Sequence, residues 1–67
     1  MAITLRSARI NKGLTQAEAA KILGVSTDTV RNYELGRSFP DVPIIKKIER
    51  AYGMSYNELI FLPENNS

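Results

Sequence analysis

The sequence lacks both cysteine and histidine among its 67 residues. Disulfides, thiol nucleophiles, imidazole bases and zinc sites of the Cys/His kind are therefore excluded. No apolar run approaches the roughly 20 residues that span a bilayer, and no secretory signal is recognisable. The remaining acid–base candidates are scattered carboxylates without a paired nucleophile. We expect a cytoplasmic protein that is not an enzyme and that needs no metal, no cofactor, no small-molecule ligand and no membrane.

Anionic residues are scarce in the first half of the chain. Residues 1–37 hold six cationic side chains against three anionic ones, whereas residues 38–67 hold three against four. This polarity suits an anionic partner bound on one side. Ordinary surface charge that keeps a small domain soluble explains it nearly as well.

The middle of the chain contains two helix starts separated by a tight turn. Thr15 and Glu18 form a capping box, in which each side chain can bond the backbone amide of the other. Gly24 can take the positive φ that ends the first of these helices, and Ser26 is an N-cap for the second. Gly36 ends the second helix. Two short helices joined by a glycine-containing turn form a helix-turn-helix motif.

Three further helices are predicted around this motif. The first runs to Lys12, either from the start of the chain or from a cap at Thr4. A fourth helix begins at an Asp41 cap, and a Ser55–Glu58 capping box begins a short fifth one. Period-two alternation is missing, so we expect no strand and predict an all-α fold, a compact five-helix bundle. The predicted boundaries are residues 1–62 for the helix-turn-helix domain and residues 63–67 for a flexible polar tail.

Short motifs follow one another at characteristic spacing along nearly the whole chain. They are Leu5-Arg6, Arg9, Gly13-Leu14-Thr15-Gln16, Leu23-Gly24-Val25-Ser26, Tyr33-Glu34, Gly36, Pro40, Ile45, Ile48, Tyr52-Gly53-Met54-Ser55 and Leu59-Ile60. No single fragment is specific, but the ordered set resembles the lambda-repressor-like, Cro-type helix-turn-helix family, also called the xenobiotic-response-element type. The resemblance implies a small regulator, a repressor of phage or mobile-element type, that binds double-stranded DNA. Such proteins usually bind a near-palindromic operator as a homodimer. The resemblance also implies a nucleoid-associated protein of bacterial or phage type.

The resemblance also implies which side chains contact DNA. The third helix, about residues 27–35, would lie in the major groove while the second helix crosses the backbone. Asn can bridge N6 and N7 of adenine, and Thr can contact the methyl group of thymine. The implied base-facing residues are Thr27, Asp28 and Asn32. The implied phosphate-facing residues are Gln16, Ser26, Arg31, Arg37 and Ser38.

Each of these assignments has an alternative. Arg31 either reaches a phosphate or points to water, and Thr27 and Asn32 are otherwise plain solvated helix surface. Asp28 either accepts from cytosine N4 or stabilises the positive end of its helix, where an anion contributes about 0.3–1 kcal/mol. Gln16 either contacts a phosphate, braces the first residues of the third helix, or is simply exposed.

Arg9 and Glu34 are expected to form a structural pair across the first and third helices, as an Arg–Glu pair does in some relatives. The alternative role of Arg9 is to hold a phosphate. A buried pair of this kind would make either single replacement strongly destabilising, because the remaining charge loses its partner.

The end of the chain is more apolar than its core requires. The residues in excess are Tyr56, Ile60, Phe61 and Leu62, and they predict a homodimer interface to which Phe39 is a further candidate contributor. The alternative is that Phe61 and Leu62 fold back to complete a small core.

One other class of function is compatible with the sequence. The chain can be an antitoxin-like or protein-interaction helix-turn-helix module whose main partner is another protein. Only the DNA-binding regulator should prefer one duplex sequence over random DNA at physiological salt.

Overall fold

The computed structural model describes residues 2–61, so the predicted tail and the interface candidate Leu62 lie outside the described residues. In chain order the elements are β1 (Ile3–Thr4), α1 (Leu5–Asn11), α2 (Gln16–Leu23), α3 (Thr27–Leu35), α4 (Val42–Tyr52), a 3-10 turn (Tyr56–Glu58) and β2 (Leu59–Ile60). Within this part of the chain, no helix has the length and apolar character needed to cross a bilayer.

A side-chain cap fixes the start of every α-helix among residues 2–61. The hydroxyl of Thr15 accepts from the Glu18 amide at 3.0 Å, and the Glu18 carboxylate accepts from the Thr15 amide at 2.8 Å. Ser26 caps α3 by accepting from the Thr29 amide at 3.0 Å. Gly24, with φ of 75°, ends α2 in the left-handed region that an L side chain rarely adopts. The two helices of the predicted motif therefore begin and end where their capping residues predict.

The first helix begins later than an uncapped start would place it. Thr4 is its N-cap, has an extended backbone and accepts from the Ser7 amide at 3.1 Å. Ile3 and Thr4 form β1, which pairs with β2 in parallel, with Ile3 opposite Leu59 and Thr4 opposite Ile60. The prediction of no strand was wrong. Strands of two residues are too short to show alternation, and their pairing depends on tertiary contact.

The prediction of a fifth helix was also wrong. The capping box is present, since the Glu58 carboxylate accepts from the Ser55 amide at 3.0 Å. Hydrogen bonds from the amide and the hydroxyl of Ser55 hold the pKa of Glu58 below its ordinary value. The chain makes only a 3-10 turn before Leu59 turns extended and buries its side chain in the core. The described chain is therefore mostly helical, with four α-helices and not five.

One apolar core holds these elements together. Its most deeply buried large side chains are Leu23 from α2, Val30 from α3 and Ile48 from α4. The remaining buried members are Leu5, Ala8, Ala19, Ala20, Tyr52 and Leu59. Helix α3 packs against α2 and α1, which cover one side of it. The opposite side of α3 faces away from these helices.

Candidate nucleic-acid interface

Helix α3 has one buried side and one exposed side. Val30 and Glu34, about one helical turn apart, are buried, whereas Thr27, Asp28 and Arg31 are exposed. The pattern follows from the 3.6-residue helical repeat, which puts residues i and i+4 on the same face. The structure thus leaves most of the predicted contact side of α3 exposed.

The loop after α3 is held against the end of that helix. The carbonyl oxygen of Asn32 accepts from the amide of Arg37 at 2.9 Å and from the amide of Ser38 at 3.4 Å. Arg37 and Ser38 are exposed, as is Ser26 at the other end of α3, while Asn32 is half-buried. Three of the candidate phosphate contacts, Ser26, Arg37 and Ser38, therefore lie at the two ends of the exposed face.

Asp28 and Arg31 neutralise each other on this face. Their charged atoms are 3.9 Å apart, and both side chains are more than half exposed. Exposed pairs of this kind contribute about 0–1 kcal/mol, so either side chain can exchange its partner for a ligand group. Asp28 also lies in the first turn of α3, where its charge suits the helix dipole.

A buried ion pair joins α1 to α3. The guanidinium of Arg9 donates from Nε to Glu34 Oε2 at 2.6 Å and from Nη2 to Oε1 at 3.2 Å. Arg9 Nη1 also donates to the carbonyl oxygen of Leu14 at 2.7 Å. The side chains are only 9% and 5% exposed. This geometry makes Arg9 a structural residue that ties together α1, α3 and the turn before α2, and leaves it poorly placed to hold a phosphate.

Gln16 completes the network from the first position of α2. Its Nε2 donates to Glu34 Oε1 at 3.0 Å. Glu34 belongs to the last turn of α3, so Gln16 braces the end of that helix and not its first residues, which corrects one of the sequence-based alternatives. The sequence predicted the Arg9–Glu34 pair, but neither the bond from Gln16 to Glu34 nor the bond from Arg9 to the Leu14 carbonyl. The motif spacing identifies candidate site residues, but it does not show which of them are hydrogen-bonded to each other in the fold.

A separate apolar groove lies beyond α3, at the start of α4. It encloses about 610 Å³ and is lined by Phe39, Pro40, Asp41, Val42, Ile45 and Tyr56. The aromatic rings of Phe39 and Tyr56 lie 4.9 Å and 5.3 Å from that of Phe61, centroid to centroid. Of the predicted interface residues, Tyr56 and Ile60 are exposed, while Phe61 is half-buried against the core. Val42, which is 63% exposed, also lines this groove and was not named from the sequence.

Comparison with known protein families gives one decisive match. A family model described as a helix-turn-helix matches residues 5–59, which include all four α-helices and the core. The chain belongs to this helix-turn-helix family. The lambda-repressor-like resemblance drawn from the sequence is thereby confirmed. No solved structure gives a significant match.

Three curated proteins show what this helix-turn-helix protein is similar to. It is 32% identical over 62 residues to the cryptic phage CTXphi transcriptional repressor RstR of Vibrio cholerae, covering 92% of this chain and 56% of the relative. It is 37% identical over 49 residues to multiprotein-bridging factor 1a of Arabidopsis thaliana, covering 73% and 34%. The human endothelial differentiation-related factor 1 is 36% identical over 50 residues, covering 75% and 34%. The chain thus spans between a third and a little over half of these relatives.

Tyr52 lies near the ion pair that connects α1 to α3, close enough for its ionisation to be affected by both charges. Burial raises its pKa to about 12, and the nearby Glu34 carboxylate contributes in the same direction, while Arg9 opposes them. The hydrogen bond to Glu34 raises the pKa of Arg9 still further above its ordinary value. Arg9 therefore stays charged in alkali, and Tyr52 is the group near it that titrates there.

We expect Tyr52→Phe to protect the fold in alkaline solution. The pKa of Tyr52 is about 12 when folded, against an ordinary value of 10.0, so its contribution is complete below pH 10 and is lost as pH rises to 12. The shift corresponds to about 2–3 kcal/mol of stability. Urea unfolding between pH 8 and 12 measures the effect. Tyr56→Phe, at an exposed position, should lose stability in alkali as the native chain does. If the free energy of unfolding falls equally between pH 8 and 12 in the native chain and in Tyr52→Phe, Tyr52 is not the source of the alkaline loss of stability.

Proposed function

We propose that this chain is a sequence-specific regulator of transcription that inserts α3 into the major groove of duplex DNA, and that it acts as a repressor of phage or mobile-element type. The observation that carries the proposal is the open outer side of α3, set on a helix whose inner side is clamped by the core and the Arg9–Glu34 pair. The family match and the similarity to a phage transcriptional repressor support it. A major groove about 12 Å wide admits an α-helix.

The proposed contacts divide into base-facing and phosphate-facing sets. Thr27, Asp28 and Asn32 read base edges from the outer side of α3. Asp28 can exchange Arg31 for the exocyclic N4 amino group of cytosine, because the exposed pair is weakly held. The proposed phosphate contacts are Gln16, Ser26, Arg31, Arg37 and Ser38, which lie at the start of α2, along α3 and in the loop after it.

Selection of bound duplexes from a random pool tests the proposed function. We expect one recovered motif with two related half-sites about one turn of duplex apart. Binding to that motif should weaken steeply between two salt concentrations through counterion release, yet exceed binding to random duplex at both. Recovery of no motif, with equal affinity for random DNA at physiological salt, would contradict the proposal.

Two alanine variants should separate base reading from backbone contact. Asn32→Ala should relax the preference at one base pair, weakening binding to the selected motif by about 1–3 kcal/mol. Arg37→Ala should weaken binding to every duplex alike and lower the slope of affinity against salt by about one. Fluorescence anisotropy titrations on the selected and a scrambled duplex measure both effects. The reverse pattern would show that the two contacts are wrongly assigned.

We further propose that the protein binds a near-palindromic operator as a homodimer, joined through the groove and its rim. Of the predicted interface residues, Tyr56 lines the groove and the ring of Phe61 lies against that of Tyr56, while Ile60 offers a further exposed apolar side chain. Phe39 and Val42 extend this surface with exposed apolar side chains. Two copies present two recognition helices, which supplies the contacts that one small module lacks. Leu62 is a candidate contributor from outside the described residues.

Val42→Glu should disrupt this dimer while leaving the fold intact. A carboxylate at the first position of α4 suits the helix dipole, but it places a charge in an apolar interface. Affinity for a two-half-site duplex should fall about 100-fold or more, because two linked modules gain 10²–10⁴ in avidity. Sedimentation of the protein on DNA measures the stoichiometry. Ile22→Glu, at an exposed apolar position on α2, is the matched control. Equal behaviour of the two variants would rule out the groove as the interface.

The second candidate function is protein binding. In this case the chain is an antitoxin-like module whose main partner is another protein. Its support is the apolar groove, together with the similarity to a protein named multiprotein-bridging factor. This function requires no preferred duplex. The selection experiment therefore separates it from the first, since only a DNA-reading regulator enriches a motif.

A further inference from the structure

Glu34 has one hydrogen-bond partner more than a structural ion pair requires. Its Oε2 accepts from Arg9 Nε, while its Oε1 accepts from both Arg9 Nη2 and Gln16 Nε2. The two bonds from Arg9 already connect α1 to α3. The third bond fixes a side chain at the start of α2, beside the proposed contact face and outside the apolar core.

The bond to Glu34 determines which way the Gln16 amide faces. A carboxylate only accepts hydrogen bonds, so the amide nitrogen, and not the amide oxygen, must point toward Glu34. Gln16 is half-buried, and one of its two amide N–H groups is used by this bond. The second N–H is thereby held in one direction, at the N-terminal end of α2.

Charge compensation makes this arrangement compatible with a nearby anion. An isolated carboxylate so close to a phosphate would repel it, but Arg9 neutralises Glu34 through two hydrogen bonds of 2.6 Å and 3.2 Å. The positive end of the α2 dipole adds to the attraction. Holding a flexible side chain in its bound orientation before the ligand arrives also reduces the entropy lost on binding.

We infer that Glu34 is a positioning residue for DNA binding, acting through Gln16, whose second amide N–H donates to a backbone phosphate of the duplex. The inference rests on the proposed function and deepens it. The buried ion pair thus has two roles: it connects α1 to α3, and it orients a phosphate donor at the start of α2. Removing Glu34 should weaken DNA binding even in a variant that remains folded.

A double-mutant cycle tests the inference. Arg9→Met/Glu34→Leu replaces the ion pair with apolar residues of similar volume, a change that is often neutral or stabilising in other proteins. It is combined with Gln16→Ala, and binding to the selected duplex is measured by anisotropy, with helicity checked by circular dichroism. We expect Gln16→Ala to weaken binding about tenfold, the size of one hydrogen bond to a charged group. The apolar pair should weaken it several-fold alone and have no further effect in the Gln16→Ala background.

Additive effects would overturn the positioning role, because Glu34 would then influence binding independently of Gln16. If the native chain prefers no duplex, the proposed function and the inference fail together. Additive effects in a chain that does prefer one duplex overturn the inference alone, so the two failures are distinguishable. A measurement on the native chain does not depend on the variants. The two side-chain amide protons of Gln16 give separate NMR signals, as in any primary amide, and the proton that is not bonded to Glu34 should shift more than the other on adding the duplex. An amide resonance that the duplex leaves unmoved would also overturn the inference.

Discussion

Glu34→Ala is expected to lower the free energy of unfolding by about 3–5 kcal/mol, because it leaves the Arg9 guanidinium buried without its counter-charge. Both oxygens of the lost carboxylate accept hydrogen bonds, and the guanidinium is too deeply buried for water to replace them fully. A domain of this size has a total stability of about 3–10 kcal/mol. The variant should therefore be partly or largely unfolded at 37 °C.

The comparison variants isolate burial as the cause. Asp28→Ala removes the acidic member of the exposed pair with Arg31 and should change stability by only about 0.5 kcal/mol. Arg9→Met/Glu34→Leu removes both buried charges and should recover most of the loss. Urea unfolding followed by circular dichroism gives all three free energies. If Glu34→Ala proves as mild as Asp28→Ala, the pair contributes little to the stability of the fold.

Leu23→Ala is expected to lower the free energy of unfolding by about 2–5 kcal/mol. The leucine is 1% exposed at the end of α2 and belongs to the core shared with α3 and α4. Its truncation removes buried apolar surface and leaves a cavity that the surrounding helices can only partly fill. Because the core is small, no other cluster among the described residues can compensate for the loss.

Leu35→Ala is the matched control for this substitution. It makes the same chemical change on the neighbouring helix, at a side chain that is 44% exposed. The expected change is within about 0.5 kcal/mol, as for surface substitutions generally. Thermal and urea unfolding measure both variants under the same conditions. A similar loss for the two leucines would mean that α2 is not packed as the structure describes.

The parts of the fold that could be predicted are those set by local chemistry. The Thr15–Glu18 capping box, Gly24 and the Ser26 cap each act within a few residues of chain, so the sequence alone locates α2 and α3. The apolar stripes follow from helical repeat and likewise need no knowledge of distant partners. Together with the motif spacing, these local signals were sufficient to predict the family.

The parts that could not be predicted depend on residues far apart in the chain. The Ser55–Glu58 box is a true helix-start signal, yet β1 pairs with Leu59 and Ile60 and draws them into an extended conformation. Tertiary contact overrode local propensity there. In the site, Gln16 and Glu34 were each singled out, but their hydrogen bond exists only once α2 and α3 pack together. The roles proposed for the exposed residues in DNA contact stay predictions.

Mapping the bound duplex onto the protein by NMR tests the central claim most directly. The selected duplex is titrated into isotope-labelled protein, and the backbone amide shifts are followed residue by residue. We predict the largest changes at residues 26–32 and at Arg37 and Ser38, with a smaller group at the start of α2. Changes concentrated instead on α4 and the apolar groove, with the outer side of α3 unaffected, would contradict the assignment of α3 as the recognition helix.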